Sequence, residues 1–354
     1  MADADPAKLV SRDLYGALCA VCHGADAKGY KADHAPSLIN PTFLESATDD
    51  YLARSIALGR PGTSMAGYGK AVGGPLDDAT IGRLVAWLRS QGPQSKQLPA
   101  VAAGEPKRGA TTYAKSCQKC HGDQVTRGED VHLANARFLD LATDSFIRYA
   151  ITSGRPGTPM EKFAGKLSDR EIDDVVAYVR SLGKPPVVAE LPAPTGKEPL
   201  VINPGGKDPH FKLRADPCPP VEPGQPPCKE DPRFVSIDQV KQALADQRKM
   251  IIIDARPASD WMRAHITGAV SIPYMELKRL DEMPKDGTWA IAYCACPHHL
   301  SGIVVDELRK RGYKHAVVLD EGILEWHRRG YPVVAAPGVE PPPNEPTLAP
   351  GTLR

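Results

Sequence analysis

The sequence predicts a multidomain chain: two all-α units in tandem, then an α/β domain with a central, mostly parallel sheet. Three observations predict it. The chain has 354 residues, more than one compact domain usually holds. A short cysteine motif and its surroundings occur twice, about 95 residues apart, in the first half. From Phe234 onward, short apolar runs alternate with amphipathic stretches of helical period.

Composition narrows the function. The 44 basic and 43 acidic side chains nearly cancel, which gives no electrostatic basis for binding nucleic acid or an anionic membrane surface. No stretch approaches the roughly 18 apolar residues of a spanning helix. The start, Met1-Ala2-Asp3-Ala4-Asp5-Pro6, is polar and lacks the apolar core of a secretory signal. Eight cysteines nevertheless fall into four close pairs: Cys19/Cys22, Cys117/Cys120, Cys218/Cys228 and Cys294/Cys296. That usage points to an oxidising compartment, so the expectation is a periplasmic protein whose export signal is absent from this sequence.

The first two pairs read Cys19-Ala20-Val21-Cys22-His23 and Cys117-Gln118-Lys119-Cys120-His121. Two thiols three residues apart on one helical turn suit addition to the two vinyl groups of one haem. The adjacent His23 or His121 then offers an imidazole to the iron. A zinc knuckle would need four ligands in one small cage, and the next cysteine is almost a hundred residues away. A thioredoxin-like redox pair does not require the histidine.

The surroundings repeat as well. Gly59-Arg60-Pro61-Gly62-Thr63-Ser64-Met65 recurs 95 residues later as Gly154-Arg155-Pro156-Gly157-Thr158-Pro159-Met160. A tyrosine stands four residues before each first cysteine (Tyr15, Tyr113), and Phe43-Leu44 returns as Phe138-Leu139. Trp87-Leu88-Arg89-Ser90 is echoed by Tyr178-Val179-Arg180-Ser181. This is a duplication of one domain, placed at residues 1–95 and 100–184; a solenoid would need at least three units. Asp77 to Gln91 reads as a helix with Ile81, Leu84, Val85 and Leu88 inward. Ser168-Asp169-Arg170-Glu171 opens its counterpart with a capping-box pattern, and Ile172, Val175, Val176 and Val179 share one face.

Both segments resemble class I cytochrome c. The resemblance implies a small helical fold with covalent haem c, a proximal histidine and a distal methionine. Met65 and Met160 stand at the same place in both copies and are the distal candidates; His34 and His132, each 11 residues after its proximal histidine, are the competitors and are assigned surface or loop roles. A Met/His pair favours ferrous iron and suits an electron carrier. The chain is thus expected to hold two haems. Pro36 resembles the family's proline whose carbonyl steadies the proximal imidazole; Ala134 stands near the matching place in the second copy.

Residues 185–232 are rich in proline and read as an extended connector without regular helix or sheet. Cys218 and Cys228 inside it are expected to form a disulfide that staples the segment. Beyond it, residues 233–335 make the α/β domain. Ser236-Ile237-Asp238-Gln239 opens a helix with a second capping-box pattern. Met250-Ile251-Ile252-Ile253-Asp254, Ala290-Ile291-Ala292-Tyr293 and Ala316-Val317-Val318-Leu319 are buried strands, with a helix from Leu300 to Arg311. Residues 336–354 read as a disordered, proline-rich tail.

Asp254-Ala255-Arg256, Asp260-Trp261 and His265-Ile266-Thr267-Gly268-Ala269-Val270-Ser271-Ile272-Pro273 resemble the first signature of a rhodanese domain, and Gly330-Tyr331-Pro332-Val333 closes its last. The resemblance implies a cysteine at the end of the central strand, Cys294, opening a loop whose amides face an anion. A thiolate there could accept sulfane sulfur. Cys294, Cys296, His298, His299 and Arg256 are the catalytic candidates. The loop differs from the family's usual Cys-x-x-Gly-x-Arg-Ser: Pro297 holds the glycine place and His299 the arginine place. Three readings stay open: persulfide chemistry with Cys296 as resolving thiol, a soft-metal site on Cys294, Cys296 and a histidine, or an inactive binding domain. Implied partners are redox proteins as donor and acceptor, with thiosulfate, sulfide or a persulfide as small molecules.

Overall fold

The structure, a computed structural model, describes residues 5–29, 35–128, 130–183, 194–215, 230–295, 298–336 and 347–348. His34, Cys218, Cys228 and Cys296 lie outside the described residues, and with them the expected disulfide and resolving thiol. The chain forms two compact units, one built on the duplicated half and one on the α/β half.

The first repeat contains α1 (Ser11–Leu18), α2 (Ala20–His23), α3 (Pro41–Ser46), α4 (Asp49–Leu58) and α5 (Asp78–Ser90). The second contains α6 (Pro106–Ser116), α7 (Gln118–His121), the two-residue strand β1 (Thr126–Arg127), α8 (Ala136–Leu141), α9 (Asp144–Ser153) and α10 (Asp169–Ser181). Matching helices start for matching reasons. Asn40 and Asn135 cap α3 and α8, and Thr48 and Thr143 cap α4 and α9 through their hydroxyls. Asp77 caps α5, and α10 carries the complete Ser168/Glu171 capping box. The inward faces expected of α5 and α10 are buried as read.

The first and last helices of each repeat meet through aromatics. Tyr15 lies 4.5 Å from Trp87, and Tyr113 lies 5.0 Å from Tyr178. Both tyrosine hydroxyls donate to a glycine carbonyl just past the cysteine motif, Gly24 at 2.7 Å and Gly122 at 2.8 Å. An arginine on the last helix then ties the middle of each domain. Arg89 bonds the Leu44 carbonyl, the Ala47 carbonyl and Asp49; Arg180 does the same to Leu139, Ala142 and Asp144.

The second unit holds β2 (Phe234–Val235), α11 (Ile237–Ala245), β3 (Ile251–Asp254), α12 (Ala258–Arg263), β4 (His265–Ile266), β5 (Val270–Ser271), β6 (Ala290–Tyr293), α13 (His299–Lys310), β7 (Ala316–Leu319), α14 (Gly322–Arg328) and β8 (Val333–Val334). Five strands form a parallel sheet in the order β2-β7-β6-β3-β5. β3, β6 and β7 are buried along their whole length, which explains their unbroken apolar runs. β4 and β8 pair antiparallel beside it.

The connector is less free than its composition implied. Ile202 exchanges backbone bonds with Met250, and Arg214 does so with Phe234. Ile202, Phe211 and Leu213 pack on the α/β core, and Arg279 binds Glu198. Residues 194–215 are therefore a strap on the second unit. One expected detail changes with it: Gln239 does not complete a capping box but bonds both backbone groups of Lys212 in the strap. In the tail, β9 (Thr347–Leu348) pairs in parallel with β1, so this stretch of the expected disordered segment is a strand.

Candidate functional site

Each cysteine motif runs from the C-cap of one helix into the short helix that follows: Cys19 is the C-cap of α1 and directly precedes α2, and Cys117 stands likewise between α6 and α7. Cys19, Cys22, Cys117 and Cys120 are all half-buried, and none of the four is in a disulfide. Burial and the neighbouring Cys22 push the Cys19 thiol up to about 12, and burial and Cys120 push Cys117 up to about 11. Both are therefore neutral thiols at physiological pH.

The histidines that follow are aimed by their own backbone. His23 Nδ1 lies 3.0 Å from the Pro36 carbonyl, as the sequence suggested. In the second repeat His121 Nδ1 lies 2.8 Å from the Val131 carbonyl, which does the work without a proline. A carbonyl accepts only from a protonated nitrogen, so each imidazole keeps Nε2 as its electron-pair donor. Burial lowers the pKa of His23 despite the hydrogen bond, which keeps the ring neutral. The residues present therefore fit a covalently bound haem: two cysteines per turn and one imidazole oriented through Nδ1.

The methionine loops are two copies of one turn. The Arg60 amide donates to the Met65 carbonyl at 2.7 Å, and Arg155 donates to Met160 at 2.7 Å. Thr63 and Thr158 hydroxyls accept from the Met65 and Met160 amides at 3.1 and 3.2 Å. Gly59 and Gly154 close the preceding helices at φ +64° and +65°, where a Cβ would sit 2.3 and 2.6 Å from the backbone beyond the methionine. Both methionines are half-buried. His132, the competitor in the second repeat, is buried with Nε2 2.7 Å from the Asp123 carbonyl, so it clamps the loop.

Sequence reasoning missed the residues between the repeats. Asn40, Asn135, Arg60 and Arg155 reach across from one repeat to the other, and all obey the same 95-residue offset. Extending the repeat upstream from Phe43-Leu44 to Asn40 would have flagged the asparagines. Arg60 Nη1 and Arg137 Nε are buried without a partner among the described residues, donors suited to a buried carboxylate.

In the α/β unit Cys294 follows β6, as expected, but it is 0 % exposed. Its Sγ lies 3.4 Å from Ser301 Oγ in the first turn of α13. Gly322, at φ +71°, passes under the loop, where a Cβ would come within 2.8 Å of the Cys294 carbonyl. His298, itself at φ +80°, turns its imidazole to Asp320 at 2.8 Å and stacks on Phe234. Burial opposes ionisation of Asp320, yet hydrogen bonds from His298 and Arg214 hold it well below the usual carboxylate range. His299 is the first residue of α13. Arg256 is engaged by Asp254 at 2.6 and 2.9 Å and by the Ala264 carbonyl, and Tyr293 shares the same carboxylate at 2.9 Å. Among the described residues no three of His, Cys, Asp or Glu converge as a metal cage. Nor, among them, is any helix long and apolar enough to cross a membrane.

Comparison with known proteins agrees with this division. Residues 9–88 and 104–179 match the family described as cytochrome c oxidase, cbb3-type, subunit III. Residues 236–329 match the rhodanese-like domain. A Cbb3-type cytochrome c oxidase subunit CcoP of Azospirillum is 28% identical over 190 residues, covering 49% of this chain; the chain spans 61% of that subunit's length. A sulfurtransferase of Allochromatium vinosum is 28% identical over 112 residues, 29% of this chain and 96% of its own length. A rhodanese-like domain from Anabaena aligns with a TM-score of 0.28 at 24% identity, over 29% of this chain and 79% of its own. Cytochrome c domains of this type carry haem c covalently. The chain is a tandem pair of cytochrome c domains followed by a rhodanese-like domain.

Proposed function

We propose that the chain is a periplasmic electron carrier with two haem c groups, attached at Cys19/Cys22 and Cys117/Cys120 and ligated by His23 with Met65 and by His121 with Met160. The observation that carries this is the repeated aiming of His23 and His121 through Nδ1, each beside a pair of cysteines not joined in a disulfide. When bound, each haem supplies a one-electron ferric–ferrous couple. The recurring loop geometry at Met65 and Met160 supports thioether ligation, which favours the reduced state. With Met65 and Met160 holding the second position of bound haems, no place would remain for substrate, and the role would be electron transfer between partner redox proteins. The likeness to oxidase subunits supports such partners.

The rhodanese-like domain adds sulfur chemistry to this reading. The Cys294 thiolate attacks the outer sulfur of thiosulfate; a new S–S bond forms, the old one breaks, and sulfite leaves with the electron pair. That transfer is not itself an oxidation. Oxidising the resulting persulfide anion would add water to its outer sulfur, forming an S–O bond and releasing one proton and two electrons; two bound haems would supply the two one-electron acceptors this needs. The full burial of Cys294 favours a second reading, a domain that binds a partner without turnover. Anaerobic mixing of oxidised protein with thiosulfate, sulfide or a persulfide separates them. Haem reduction that is lost in Cys294→Ser supports the sulfur reading; equal reduction in both proteins, or none, supports the binding reading.

A further inference from the structure

Asn40 and Asn135 each do two things at once. Asn40 Oδ1 accepts from the Phe43 amide of its own helix, while its Nδ2 donates to the Pro156 carbonyl of the other repeat at 2.9 Å. Asn135 Oδ1 accepts from the Arg137 and Phe138 amides, while its Nδ2 donates to the Pro61 carbonyl at 2.9 Å. Pro61 and Pro156 stand four residues before Met65 and Met160, inside the turns closed by the Arg60–Met65 and Arg155–Met160 backbone bonds. Each domain's helix cap therefore grips the loop that carries the other domain's methionine.

The surrounding contacts obey the same two-fold logic. Arg155 lies over Phe43 and Arg60 over Phe138, both at 5.8 Å, while Tyr51 and its counterpart Phe146 stack at 4.7 Å. Arg54 binds Asp140 across the boundary, and at the positions related by the same 95-residue offset, forward for Arg54 and back for Asp140, Tyr149 binds Glu45. Asn40 itself is 6% exposed, so its amide is buried between the repeats, and losing it leaves the Pro156 carbonyl without that partner.

We propose that Asn40 and Asn135 are positioning residues for the axial methionine of the opposite domain, so that each iron's ligation depends on a side chain of the other haem domain. This rests on the reading of Met65 and Met160 as ligands. A loosened loop weakens the iron–sulfur bond, and the ferrous state loses its preferred ligand.

The test uses the full-length holoprotein. Asn40→Ser keeps a neutral, competent helix cap but is too short to hold Pro156. In a Met65→Ala background, the remaining long-wavelength ferric iron–thioether band belongs to Met160, and Asn40→Ser should weaken or shift it and lower that midpoint potential. In a Met160→Ala background, Asn40→Ser should leave the Met65 band and potential in place. Asn135→Ser should give the mirror result. Effects confined to the variant's own domain, or no effect, overturn the proposal while leaving the ligand reading intact. Absence of the band in the unmutated protein overturns the ligand reading itself. Should Asn40→Ser lose haem, Asn40→Asp keeps the cap and removes the donor; loss from the opposite domain alone supports the proposal, and equal loss from both contradicts it.

Discussion

The imidazole of His23 has two nitrogens, and the fold spends one on a carbonyl to aim the other. The same economy at His121 uses Val131 in place of Pro36, which shows that the carbonyl matters and the proline does not. Proximal residues were legible because the motif is local, and Pro36 through the resemblance; Val131 was not, because it lies in a loop 10 residues from His121 with no proline to mark it. Met65→Ala and Met160→Ala should each remove about half of the iron–thioether absorbance and lower one of the two potentials. Unchanged spectra in both would remove methionine from the account. In the α/β unit, Asp320 holds His298 and Arg214. Its depressed pKa adds stability above the ordinary carboxylate value of about 4, and that stability is lost as pH falls through this range toward the folded-state value. Asp320→Asn should cost about 1–2 kcal/mol at neutral pH, and the gap to the parent should narrow below about pH 4. Urea midpoints of parent and variant across that range check it.

Among the elements, the central strands were readable because burial on both faces makes β3, β6 and β7 almost wholly apolar, the exception being Asp254, which ends β3 paired with Arg256. β2 and β5 have two residues each, too few to show any period. The strap over residues 194–215 escaped the same reading, since its anchors Ile202, Phe211 and Leu213 sit in very short apolar stretches among prolines. The crossing of α6 and α10 depends on Gly109, where a Cβ would lie 1.9 Å from the Asp174 carbonyl. Gly109→Ala should therefore destabilise the second haem domain by about 1–3 kcal/mol despite alanine's better helix propensity. Thermal melts followed by the haem band of that domain would show it; an unchanged or higher midpoint would mean the helices separate without penalty.

At the scale of the molecule, duplication explains most of what could be read and most of what could not. Two copies made the cysteines, histidines and methionines stand out against single occurrences. The contacts between copies stayed hidden, because an offset in sequence does not say that two domains face each other through it. In the rhodanese-like domain the place of Cys294 after β6 was legible from the strand pattern, whereas its burial against Ser301 depends on how α13 packs. Persulfide loading by a sulfane donor should add about 32 Da to the protein, and Cys294→Ser should abolish it. The claim on which everything else rests is covalent attachment at two motifs. Intact mass spectrometry of the denatured, acid–acetone-washed holoprotein tests it most directly. The account predicts the mass of the chain plus two haems, falling to one haem when both Cys117 and Cys120 are replaced by alanine; the mass of the bare chain, with all haem in the organic phase, would contradict it.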